Sequence, residues 1–96
     1  MNAKQRNELR KQAQREKAIF QIGAGELHDG NIEAIREAFN TREIIKIKVN
    51  RQDQYDKKIT REIADTLESK IKGSHIIGVI GTTIIIYKKL EKKKGE

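Results

Sequence analysis

The residues best placed to do chemistry stand together in Ile19-Phe20-Gln21-Ile22-Gly23-Ala24-Gly25-Glu26-Leu27, where a short apolar run meets two closely spaced glycines. Gly23 and Gly25 carry no Cβ, so the chain there can turn with φ > 0 and bring bare backbone N–H groups close to a ligand. A helix starting just beyond aims the positive end of its dipole at the same spot. Such a loop suits a phosphate. The bland alternative is a tight strand-to-helix turn that binds nothing, and spacing alone does not separate the two.

The charge of the chain says which phosphates to expect. Its 96 residues hold 21 Lys+Arg against 14 Asp+Glu, a formal net charge of +7, which favours a polyanionic partner and nucleic acid first. The cations that could join Gly23, Ala24 and Gly25 in holding a backbone are Lys4, Arg6, Arg10 and Lys11 near the N-terminus, Lys46 and Lys48 in mid-chain, and Lys88 and Lys89 near the end. Each has an ordinary reading too. A charge run is commonly a solvated face, and strand lysines also protect sheet edges.

Other chemistries find little support. The chain has no Cys, so thiol nucleophiles, thiolate metal sites and disulfides are excluded, and a reducing cytoplasm fits. His28 and His75 are far apart and the carboxylates lie beside basic residues, so neither a metal site nor an acid–base pair is expected. The expectation is a non-enzyme with no cofactor and no small-molecule substrate. No apolar run approaches the roughly 18 residues of a membrane span, and the basic N-terminus has no hydrophobic segment behind it. The rings are Phe20, Phe39, Tyr55 and Tyr87, of which the two Phe sit on apolar stripes. That leaves Tyr55 as the ring free to stack on a base, and points to recognition of backbone and shape.

These residues need elements to position them. Asn2 to Lys17 has no Gly or β-branched residue, which predicts a helix with a thin stripe of Leu9 and Ala13, a wide basic face and a fraying start. Ala18 to Ile22 reads as a strand with Phe20 and Ile22 on one face. His28 or Asp29 can cap a helix that runs to about Thr41 on Ile32, Ile35 and Phe39. Glu43 to Asn50 alternates, with Ile45, Ile47 and Val49 opposite Ile44, Lys46 and Lys48, so it is a strand with both lysines toward water. After a polar loop from Arg51 to Tyr55, Asp56 can cap a helix carrying Ile59, Ile63, Leu67 and Ile71, which Gly73 ends. His75 to Ile80 and Thr82 to Lys88, parted by Gly81, predict a tight hairpin. The order is α-β-α-β-α-β-β. This is a single α/β (α+β) domain over residues 1–88 with a mixed four-stranded sheet, followed by a basic flexible tail over 89–96; a monomer is expected. Its modest size buries only about 60–65% of the unfolded surface.

Lys4-Gln5-Arg6, the run from Ile19 to Gly25, Glu43 to Val49, Val79-Ile80-Gly81 and Thr83 to Lys88, taken in order, resemble the YhbY-like CRM-domain family of RNA-binding proteins. The resemblance covers roughly residues 4 to 88. It implies a fold similar to the C-terminal domain of initiation factor three, and a role with precursor large ribosomal subunits; plant relatives serve in chloroplast intron splicing. It also implies a Gly-x-x-Gly loop, akin to the loop by which KH domains clamp nucleotide backbone. Here that loop reads Gly23-Ala24-Gly25-Glu26, with Glu26 at the last glycine's place and Ala24 where lysine is common. A carboxylate about 4 Å from a phosphate would be repelled by roughly 4 kcal/mol at an effective dielectric near 20, so Glu26 must point away if the loop binds. Thr82 also stands where the family is often basic. The resulting expectation is an RNA clamp in ribosome biogenesis; the rival is a protein-docking adaptor on ribosomal particles whose glycine loop is only a turn.

Overall fold

The computed structural model describes residues 2–23, 27–50 and 57–90. Three helices and four strands follow in the expected order: α1 (Ala3–Ala13), β1 (Ala18–Gly23), α2 (Asp29–Ala38), β2 (Ile44–Asn50), α3 (Lys57–Lys70), β3 (Ser74–Ile80) and β4 (Thr83–Lys88). The expected loop from Arg51 to Tyr55, the Asp56 cap, residues 24–26 of the glycine loop and the tail beyond Leu90 lie outside the described residues.

The sheet order is β1-β2-β4-β3. β1 runs parallel to β2, while β4 is antiparallel to both β2 and β3. The second βαβ passage therefore leaves β2 and β3 parallel but separated, because the hairpin folds β4 into the gap between them.

Alternation divides the sheet into two faces. Ile22, Ile45, Ile47, Val49, Ile84 and Ile86 pack against Ile32, Ile35 and Phe39 of the α2 segment and Ile63, Leu67 and Ile71 of the α3 segment. This is the main core. On the other face a smaller cluster joins Ala13 of α1 to Ile44, Ile77 and Ile85, with Leu9 and Tyr87 half-buried against it. The thin stripe thus gives α1 the narrow seat it predicts. At its start, where fraying is expected, the Asn2 side chain accepts from the Gln5 N–H at 2.8 Å while Gln5 Oε1 accepts from the Asn2 N–H at 3.2 Å. That reciprocal pair is a capping box. α1 also stops at Ala13, four residues before the expected Lys17.

The helix and hairpin ends follow local chemistry. The His28 N–H donates to Asn31 Oδ1 at 2.9 Å at the start of α2, so Asn31 supplies the bond there. α2 ends at Ala38, and its last turns tighten through Thr41, whose N–H reaches the Ala38 carbonyl at 3.2 Å. Gly73 takes φ +83° after α3, and Gly81 takes φ +59° in the two-residue turn between Ile80 and Thr83. Glycine in the first central position with positive φ is the preference of a type II′ hairpin turn.

Candidate nucleic-acid interface

α1 covers only part of its face of the sheet. It sits over β2, β4 and β3 at Ile44, Ile85 and Ile77, and the end of the sheet nearest Gly23 stays open. Across that open end the register aligns Gln21 with Lys48, Lys48 with Thr83, and Thr83 with Ile80, so one row crosses all four strands. At about 4.8 Å per strand the row is some 14 Å wide. Gln21, Lys48 and Ile80 are exposed and Thr83 is half-buried. Beyond the row, Gly23 pairs with Asn50, whose Nδ2 donates to Gln21 Oε1 at 3.3 Å. The strip offers an ammonium, two amides and a hydroxyl, and none of these residues is acidic. Such groups can meet phosphate oxygens, ribose hydroxyls and base edges.

The structure separates the residues that the sequence proposes as one site. Lys48 lies in the open row. Lys46, one step nearer α1 and paired with Ile85, is half-buried rather than turned fully to water. Gly23 is the last residue of β1, so it continues the strand instead of beginning the turn; Ala24 and Gly25 lie outside the described residues. Lys4, Arg6, Arg10 and Lys11 are all exposed on α1. At 100° per residue Lys4 and Lys11 share a line pointing away from the Leu9–Ala13 seat, while Arg6 and Arg10 share a flank. Arg10 is also a structural link, since its Nε donates to the Ile77 carbonyl at 2.6 Å. Lys88 and Lys89 sit at the opposite end of the sheet, because Ser74 pairs with Lys88 where Ile44 pairs with Tyr87. The spacing of residues along the chain carries no information about that separation. Gln21, Asn50, Thr83 and Ile80 escape a sequence reading for the same reason, although the phase of Asn50 with Lys46 and Lys48 was available.

A model of the CRS1 / YhbY (CRM) domain matches residues 1–88. The chain belongs to the CRM family. Over 96 residues this CRM protein is 35% identical to the probable RNA-binding protein YqeI of Bacillus subtilis (strain 168), covering 98% of this chain and 94% of YqeI. Its fold is similar to the solution structure of the hypothetical protein SAV1595 from Staphylococcus aureus, with a TM-score of 0.78 and 34% identity over 98% of this chain and 94% of that one. The resemblance read from the spaced motifs is borne out.

The rings among the described residues of this CRM domain are committed elsewhere. Phe39 is 3% exposed in the main core, Phe20 packs against that core, and Tyr87 packs against the α1 cluster; Tyr55 lies outside the described residues. Among the described residues no ring stands on the open row, so base stacking there has no platform. Gly78 and Gly81 are structural: Gly78 lies under Arg10, and Gly81 makes the hairpin turn. Among the described residues no group of three His, Cys, Asp or Glu side chains could hold a metal ion, and no helix is long and apolar enough to cross a membrane.

Proposed function

We propose that this CRM protein is a noncatalytic RNA clamp that holds structured RNA of precursor large ribosomal subunits by its sugar–phosphate backbone, as a cytoplasmic monomer needing no cofactor. The observation that carries the reading is the open row, in which Lys48 stands between an amide and a hydroxyl with no acidic residue in the row. Gly23 ends β1 beside that row, Ala24 and Gly25 join it through backbone N–H groups in this reading, and Lys4, Arg6 and Lys11 add positive field from α1. Residues 89–96 serve as a basic arm. The ribosomal particle is drawn from the family resemblance.

The binding test is a salt titration with large-subunit ribosomal RNA. Backbone contact predicts that log K falls linearly with log salt, by about 0.7–0.9 for each phosphate neutralised. Affinity indifferent to salt would overturn the clamp. In cells, crosslinking followed by sequencing should recover large-subunit ribosomal RNA; crosslinks confined to messenger RNA would overturn the ribosomal part.

One observation favours the docking adaptor, because Ile80 is 66% exposed at the end of the same row. Gly25→Asp separates the two readings. A folded variant with weakened RNA binding supports the clamp, and one with undiminished affinity supports docking.

A further inference from the structure

At the other end of the molecule, on the opposite face of the sheet, Arg36, Asn40, Lys70, Ile71, Lys72 and Lys88 line a cleft of about 390 Å³. The C-terminal ends of α2, α3 and β4 converge there. The cleft is built rather than incidental: Arg36 Nη2 donates to the Lys70 carbonyl at 3.1 Å, and a Cβ on Gly73 would lie 3.6 Å from Lys88 Cε, so the Lys88 stem crosses the Gly73 turn. The Lys88 N–H is held by the Glu43 carbonyl at 3.0 Å.

Cations near helix C-termini are ordinary, since each end carries a partial charge of about −0.5. Here they exceed that need. Two helix ends supply about −1 and Glu33, paired with Arg36, supplies another −1, against four cationic side chains. Glu43 lies just outside, its carboxylate accepting from the Leu90 N–H at 2.9 Å, so about one to two positive charges remain, and among the described residues no carboxylate lines the cleft. We infer that this cleft is a second phosphate-binding site, taking RNA backbone at a point separate from the open row.

The inference rests on the RNA-binding reading and adds a geometry to it. Thr83 in the row and Lys88 at the cleft are five strand steps apart, about 17 Å, and the two surfaces face opposite ways. One phosphate cannot touch both. The RNA must therefore present separate phosphates to the two surfaces, from two backbone segments of a folded RNA or from one strand that passes round the edge of the domain.

The test compares hydroxyl-radical footprints and salt slopes on in vitro transcribed large-subunit ribosomal RNA. Lys70 and Lys72 are both exposed, so Lys70→Gln/Lys72→Gln should fold, which circular dichroism checks. This variant is expected to lose one protected backbone segment and to lower the salt slope by about two, one per lysine. Lys48→Gln should weaken a different segment. Lys17→Gln/Lys58→Gln, which removes the same charge elsewhere, should leave both footprints in place. A cleft variant with the wild-type slope and footprint overturns the second site while leaving the clamp standing, as does a loss matched by the Lys17/Lys58 variant. Wild-type protein that protects no RNA overturns both.

Discussion

Arg10 Nε and the Ile77 carbonyl are joined by a 2.6 Å hydrogen bond across 67 positions of sequence. The acceptor is free because Ile77 is the extra residue of a bulge: Ile76 pairs with Ile86 and Gly78 with Ile85. The guanidinium passes directly over Gly78, where a Cβ would stand 3.6 Å from Arg10 Nε in ordinary van der Waals contact. One arginine thus fastens α1 to β3, and the seat it supplements is small. Burial of Leu9 and Ala13 contributes on the order of 2–3 kcal/mol.

A charged hydrogen bond of this kind contributes about 1.5 kcal/mol, toward the low end for a partly exposed donor. Arg10→Ala should therefore lower unfolding free energy by about that much in urea titration. Arg10→Lys keeps the charge but loses the planar Nε–H. It should keep the salt slope of RNA binding while failing to restore the stability. A lysine variant as stable as wild type would show that the bond to Ile77 contributes little.

Lys48 has no such double duty. It is exposed in the open row, so Lys48→Gln should change stability by less than about 0.5 kcal/mol. If it meets a phosphate, the slope of log K against log salt should fall by about one. Fluorescence anisotropy at several salt concentrations reads both the slope and the affinity, and an unchanged slope would remove Lys48 from the interface.

Much of this architecture is legible in the chain, and the exceptions share a cause. The alternation from Glu43 to Asn50 and the i+4 steps of Ile59, Ile63, Leu67 and Ile71 are local signals, so β2 and α3 appear where expected. The bulge at Ile77, the insertion of β4 between β2 and β3, and the distance from Lys88 to Gly23 depend on strand pairing. No local periodicity encodes them. The Leu9 and Ala13 stripe predicts a narrow seat for α1 but not its address, and that address decides that Lys48 is open while Ile44 is covered.

Gly81 holds the row in register. Its φ of +59° is costly for an L-residue, yet a Cβ there meets nothing within 4 Å. Gly81→Ala should therefore lose about 1–3 kcal/mol from backbone strain alone. Gly81→Asn should lose less, because asparagine is, with glycine, among the residues that the primed hairpin turns accept. Faster amide exchange in Ile80 and Thr83 of the alanine variant would show the hairpin loosening. Equal stability of all three proteins would mean that the turn relaxes to another type.

Ile80 ends the row with an apolar side chain 66% exposed, where RNA clamp and docking adaptor predict opposite outcomes. Replacing it with lysine removes little packing and places a second ammonium two strands from Lys48, through Thr83. β3 is a sheet edge, and a lysine there also discourages edge pairing, so the variant should fold and stay dispersed. If phosphodiester backbone crosses the row, Ile80→Lys should bind RNA more tightly and steepen the salt slope by about one. If Ile80 is the anchor for a protein, the same change should leave naked-RNA affinity alone and release the protein from ribosomal particles in sedimentation. Measuring both on one variant decides between the two, since a desolvated charge in a protein pocket is costly while a charge beside phosphate is favourable.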